Sequence, residues 1–424
     1  AGILDDAGIR QAGRVRAPAI VRASGSDVLE VVLITEDQYS QWRSLLDTET
    51  ISVPDVDVSS MPLVVDLTTV ASEIRSEADV EAWRPVIGGK SAGFLALLSA
   101  DGVRTPVTPV AITVRPYLEH LSQVEDALEA MLSDSDFRRS ARARFLLLEG
   151  PSDFAKHYPA SDDIEFASAF TAANPPGTLV GEILEAGGFK DYFRDVPMEP
   201  TTLAAITSAL VETFDGFAVT QGLRFRSSSS VEDIEGFSGA GLYDSNSGFL
   251  DPLSQPDESD HKDTVERTLK KTWSSYWGFE AFEERRLEDV DHLSGALGVL
   301  VHHRFDDPLE VNNGVATFTL LPDGGSLVVI NVQDGSVSVT NPDLTDPELP
   351  EVIEMTGGSS GGFDIARIAE STLSAGVVMN DAAALELASQ LETVTVLWRD
   401  RVNAALPANQ RIQTVTLDFE FKTM

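Results

Sequence analysis

Apolar residues recur along this chain at two periods, every second position in some stretches and every third or fourth in others, and the two periods predict different elements. Residues 28–34 (VLEVVLI) and 63–67 read as strands, with residues 37–46 a short helix and the Asp/Ser-rich run from Pro54 to Ser60 a loop between them. Residues 1–80 thus predict a small α/β extension. From residue 125 to 222 apolar positions fall three and four apart in 124–132, 164–172 and 203–214, interrupted at Pro175-Pro176-Gly177 and Gly187-Gly188. That spacing predicts a helical insertion or lid between two parts of one domain. An acidic linker over residues 252–263 precedes a helix from Thr264 to about Asp289, along which lie Trp273, Tyr276, Trp277, Phe279 and Phe282. An aromatic stripe at helical spacing is a core face. Residues 297–318 predict two strands joined by a polar connection, and 327–331 a further strand. The tail predicts a helix from Asp381 to about Ala405, then a strand over 414–421.

Charge changes the picture more than hydrophobicity does. The chain's 424 residues hold 31 basic against 68 acidic side chains, a formal charge of -37, so it repels polynucleotides and anionic membrane surfaces. A binding role for nucleic acid is therefore not expected. No apolar run approaches the ~18 residues of a membrane-spanning helix. The start AGILDDAGIR has no basic segment followed by an apolar one, and a cytoplasmic location is the expectation. The absence of cysteine excludes disulfides, thiolate catalysis and thiolate metal sites. In such a chain, cations that bind an anion must be gathered locally or supplemented by a divalent metal.

One stretch gathers them. Residues 223–246, LRFRSSSSVEDIEGFSGAGLYDSN, read as a short strand with Arg224 and Arg226 on one side, four serines, the acidic pair Glu232 and Asp233, and a glycine loop around Gly239 and Gly241. Guanidinium forks match phosphate oxygens, and glycines let backbone N–H groups approach an anion. An ordinary Ser/Gly turn has the same composition. A second candidate is Gly88-Gly89-Lys90, which sets a lysine where a glycine turn meets a helix start, a place that favours anions or simply holds a solvated lysine. Near the end, Asp418 and Glu420 alternate with apolar residues, so both carboxylates share one side of a strand, as Mg²⁺ ligands or as the wet face of an edge. His302 and His303 are adjacent in a strand and point to opposite faces, so they cannot readily chelate one metal.

The first stretch resembles the VRSSATAEDLPGASFAGQ-type signature of phosphoenolpyruvate synthase, pyruvate phosphate dikinase and rifampicin phosphotransferase. It is closer still to a bacterial branch of PEP/pyruvate-binding domain proteins with FNGAGLYDS-like text. Residues 86–121 are similar to the same family's opening, GGKGANLAEL followed by a GVPVPPGFAIT-like segment, and TLKKTWSSYWGFEAFEERR is similar to its AIKKVWASLWNFRAFEER helix. The resemblance covers about residues 86–424. It implies an α/β, ATP-grasp-like fold in which two lobes clamp ATP, with a first lobe over residues 81–250 and a second over 251–424. It further implies that Lys90 and Arg226 hold phosphates and act catalytically. Ser227, Gly239, Gly241, His302, Asn331 and Gln333 would line the nucleotide site, and Asp418 and Glu420, in a segment similar to DIEWAI, would hold Mg²⁺. Asn331 and Gln333 stand where active dikinases carry a glutamate-bearing loop, and the family's Gln-x-Arg segment is not met before Met424.

In that family ATP phosphorylates a histidine on a separate swivelling domain, in a TSHA-like motif. The glycine-rich stretch TGGSSGG, residues 356–362, contains no histidine, and the six histidines fall at 120, 157, 261, 292, 302 and 303. A phosphohistidine acceptor would have to come from another domain or protein. Three readings follow: a phosphotransferase half, a nucleotide-binding module without turnover, and a structural protein that kept the fold.

Overall fold

The computed structural model describes residues 19–23, 29–33, 51, 56–214, 222–232, 234, 237, 239, 241–250, 263–304, 310–335, 339, 348–358, 362–374 and 376–423. The helix expected at 37–46, Asp233, most of the acidic linker and the middle of TGGSSGG lie outside them. Strands β1 (Ala19–Ala23) and β2 (Leu29–Leu33) form an antiparallel hairpin. Two five-stranded antiparallel sheets follow. The first has the order β3-β4-β7-β5-β6, from β3 (Val64–Asp66), β4 (Val110–Ile112), β5 (Leu223–Ser229), β6 (Asn246–Gly248) and β7 (Leu297–His303). The second has the order β11-β10-β9-β8-β12, from β8 (Asn312–Leu320), β9 (Ser326–Asp334), β10 (Glu351–Gly358), β11 (Gly362–Ala369) and β12 (Val415–Thr423). The molecule is a mixed α/β protein of two lobes.

β7 pairs with β4 on one side and β5 on the other, so the first sheet includes residues 297–303, and the next strand, β8, belongs to the second. The two strands expected over 297–318 therefore belong to different sheets. β3, before residue 81, is also a strand of the first sheet.

Helices cover both faces of the first sheet. On one face lie α1 (Leu67–Ala71), α2 (Glu77–Ile87) and α3 (Gly89–Leu98), which pack Leu67, Val80, Ile87 and Leu95 against Ala111 and Leu300. On the other lie α4 (Val114–Ser122), seven helices running from α5 (Glu125–Ser133) to α11 (Pro200–Thr213), then α12 (Val265–Ser274) and α13 (Phe279–Leu287). The helical insertion shares one continuous core with the sheet: Phe145, Phe189 and Leu210 join Val299, Phe225 and Trp277. It is a wall of the lobe. The aromatic stripe is buried as its spacing predicts, but its helix breaks at Gly278 (ψ 148°), where the Glu149 carboxylate accepts from the Phe279 N–H at 2.7 Å and starts a new helix.

The second sheet buries one face under α14 (Asp381–Ala405), packing Phe318, Ile330 and Met355 against Ala384, Ala388 and Leu391. Its other face carries Asp418, Glu420 and Asn331. α14 also touches the first lobe: the Trp398 indole N–H donates to Glu77 at 3.0 Å and Arg401 to the Ser99 hydroxyl at 2.8 Å.

The joint between α2 and α3 is one residue, Gly88, with φ 80°. A Cβ there would lie 1.8 Å from the Ser228 carbonyl oxygen, and one on Gly89 would lie 2.7 Å from that of Glu232. Both glycines exist so that β5 and the turn after it can press on the helix start. Gly88→Ala should therefore cost about 2–4 kcal/mol, whereas Gly93→Ala, on open helix surface with nothing within 4 Å, should gain about 0.5–1 kcal/mol. Urea unfolding of both variants checks this; equal effects would contradict the close-approach account.

Candidate functional site

Alternation along β5 sends Leu223 and Phe225 into the helical core and leaves Arg224 and Arg226 half-buried on the opposite face. Across the ladder Arg224 sits opposite His302 and Arg226 opposite Leu300. Leu300 is covered by α1–α3. Arg226 reaches across to the other sheet, where its guanidinium donates to the Glu420 carboxylate on β12.

Behind Arg226 stands His302. Its Nδ1 lies 2.6 Å from the His303 carbonyl oxygen and therefore carries the proton, leaving Nε2 to accept from Arg226 Nε at 3.2 Å. Burial and then the charge of Arg226 push its pKa down to about 3. A neutral imidazole thus fixes the guanidinium without adding to the positive charge.

Lys90, the second residue of α3, ion-pairs with Glu232, whose side chain is only 2% exposed. Three contacts hold this arrangement. The Ser228 hydroxyl donates to the Ile87 carbonyl at 2.7 Å and accepts from the Ser91 N–H at 2.9 Å, while Arg84 donates to the Glu232 carbonyl at 3.3 Å. Glu420 collects the result. Partial desolvation raises its pKa although more than half of the side chain is exposed, but Arg226, Lys90 and Arg224 together outweigh this and hold it below the ordinary carboxylate value. Among the described residues Arg226 alone contacts this carboxylate, while Lys90 and Arg224 act on it through their charge.

The remaining expected site residues fall into two groups. Gly239 (φ 63°) packs beside Phe237 and Glu232, and Gly241 (φ 75°) is exposed with open space around it, so the loop lies next to the Lys90–Glu232 pair. Asn331 shares a row with Val315 and Glu420 on the polar face of the second sheet, and Asp418 lies two residues from Glu420 on the same face, accepting from the Thr317 hydroxyl at 2.8 Å. Ser227 and Gln333 are turned elsewhere. Ser227 is fully buried and donates to the Tyr243 carbonyl; Gln333 donates to the Leu349 carbonyl at 3.1 Å and accepts from Ser371. The other serines are likewise employed in holding backbone: Ser230 accepts from the Ala296 N–H at 2.9 Å. Among the described residues there is no group of three or more His, Asp or Glu side chains arranged to hold a metal, and no helix long and apolar enough to cross a membrane.

Glu232 is the site residue that sequence reasoning passed over. Its acidity was visible, but its partner lies 142 residues away. The one available signal was an acid directly after a run of serines and a valine, where burial without a cation is costly.

The two sheets thus meet at the Arg226–Glu420 ion pair, with the Lys90–Glu232 pair on the same α3–β5 frame. Residues 84–341, more than half of the chain, match the AMP/ATP-binding domain of pyruvate phosphate dikinase, and the chain belongs to that family. The matched span includes Lys90, Arg226, Glu232 and His302 and ends before Asp418 and Glu420. No curated protein matches the chain.

The buried imidazole has a pH signature. His302 has its ordinary value of 6.5 in the unfolded chain and about 3 when folded, so the unfolded state alone takes up a proton in between. Its contribution is whole above pH 6.5 and is lost as pH falls, at about 1.4 kcal/mol per pH unit. His302→Gln should make the fall in unfolding free energy between pH 6 and pH 4 shallower by about that amount; parallel curves would contradict the assignment.

Proposed function

We propose that a cleft between the lobes, at the Arg226–Glu420 contact, binds ATP as its Mg²⁺ complex and presents a phosphoryl group to an acceptor on another domain or protein. The observation that carries this reading is the pairing of Arg226 with Glu420 of the other sheet, beside the Lys90–Glu232 pair, in a chain whose net charge is -37. Family membership supports the adenine nucleotide. Glu232 and Glu420 neutralise Lys90 and Arg226, and a triphosphate, which carries more charge than either carboxylate, competes for both. Gly239 and Gly241 border the space the phosphates would enter.

The residues present suit Mg²⁺. Asp418 and Glu420 offer two carboxylates on one face of β12, and Mg²⁺ ordinarily takes one or two protein carboxylates and completes its shell with phosphate and water. Bound there, the metal would neutralise phosphate charge. The chain's own contribution is to fix the guanidinium and the amine by His302, Ser228 and the Gly88–Gly89 turn, so that charge stabilisation is organised before the ligand arrives. The acceptor is a phosphohistidine-forming domain by analogy with the family.

A binding module without turnover is the second reading, favoured by Gln333, whose amide is committed to loop carbonyls and to Ser371. ATP consumption with a histidine-bearing partner domain separates the two.

Arg226→Ala should weaken ATP binding by about tenfold or more. Glu420→Gln should behave differently: affinity rises in the absence of Mg²⁺, because the competing carboxylate is gone, and the gain on adding Mg²⁺ disappears. Titration calorimetry with and without Mg²⁺ checks both. ATP binding that is unchanged in both variants would overturn the placement of the nucleotide.

A further inference from the structure

Arg224 contributes only its charge to the arrangement above and touches neither carboxylate in it. It stands on the same face of β5 as Arg226, two residues before it, with a half-buried side chain whose guanidinium donates to the neutral Ser247 hydroxyl at 3.2 Å. Among the described residues it makes no ion pair, whereas Lys90 is paired with Glu232 and Arg226 with Glu420. Its surroundings do not favour a cation either. Burial, then Arg226 and Arg304, lower its pKa, and Glu420 alone opposes them. A half-buried guanidinium crowded by like charge, with no ion pair among the described residues, is costly. Packing does not explain it, since the apolar side of the strand is already supplied by Leu223 and Phe225.

Geometry says what would use it. Arg224 and Arg226 share one face of the strand two residues apart, about 6.6 Å along it, so their forks offer donors over a longer stretch than one phosphoryl group spans. A chain of linked phosphoryl groups can lie along the strand and meet both forks in turn. We propose that Arg224 is a third phosphate-reading cation of this cleft, and that it makes the site select polyphosphate-bearing ligands over nucleoside monophosphates. This rests on the nucleotide reading of the same cleft and extends it to the class of ligand retained. The structural consequence is a graded site, in which Lys90 and Arg226 exchange a carboxylate for phosphate while Arg224 gains a direct anionic contact.

The test measures the affinities of ATP, ADP, AMP and inorganic tripolyphosphate for the full chain and for Arg224→Gln and Arg224→Lys. Arg224→Gln should weaken ATP and tripolyphosphate by about tenfold and AMP by less than about twofold, leaving ADP between them, with Arg224→Lys recovering part of the loss. Unfolding midpoints of the variants report whether each is folded; if Arg224→Gln is not, Arg224→Lys alone decides, because it keeps the charge and loses only the two-pronged fork. Equal losses for all four ligands, or none, would overturn the role of Arg224 while leaving the nucleotide site standing. Failure of the unaltered chain to bind ATP or tripolyphosphate would overturn the nucleotide reading itself.

Discussion

The Ser228 hydroxyl is the smallest part of this protein on which most of the rest depends. It donates to the last carbonyl of α2 and accepts from an N–H at the start of α3, so one side chain of β5 satisfies both helix ends at their joint. The joint can come that close only because Gly88 and Gly89 carry no side chain. Everything about Lys90 follows from this contact. The helix that bears it is pinned to the strand that bears Arg224 and Arg226, and the turn leaving that strand brings Glu232 to meet the amine. Two cationic elements from distant parts of the chain are thereby held on one rigid frame, and the frame is built mainly from backbone contacts.

Magnitudes decide how the facing lobe relates to that frame. The Arg226–Glu420 pair spans the two sheets, but Glu420 is more than half exposed, with 56% of its side-chain surface accessible. A partly exposed pair of this kind contributes about 0–1 kcal/mol, too little to lock the lobes together. Their attachment rests more on α14, whose Trp398 and Arg401 bind the helices of the first lobe. The ion pair is consequently free to exchange partners at small cost, which is the property a cleft needs if an anion is to enter it. His302 works in the opposite sense: buried and neutral, it leaves the guanidinium little freedom when Glu420 departs.

Local periodicity made much of this legible in the sequence. The helix expected from 381 to 405 is α14, and the alternation that put Asp418 and Glu420 on one side of a strand is the pattern of β12. What periodicity does not carry is pairing between distant segments. β7 and β8 are neighbours in sequence and similarly apolar, yet β7 pairs with β4 and β5 while β8 pairs with β9 and β12, so the lobe boundary was invisible. The aromatic stripe likewise runs unbroken through Gly278, and the carboxylate that restarts the helix there comes from Glu149, 130 residues away. For the candidate site, residue type singled out Lys90 and Arg226, each of which the structure sets in an ion pair, and the serines beside them misled. Four hydroxyls near two arginines read as phosphate ligands, but Ser227, Ser228 and Ser230 all hold carbonyls or N–H groups of the fold.

The central claim is that the carboxylates of Glu232 and Glu420 hold the places of a bound triphosphate. A crystal structure of the full chain with a non-hydrolysable ATP analogue and Mg²⁺ addresses it most directly. The account predicts phosphate oxygens within hydrogen-bond distance of both Lys90 and Arg226, with the Arg226–Glu420 contact broken. An analogue bound elsewhere, with both ion pairs intact, would contradict it.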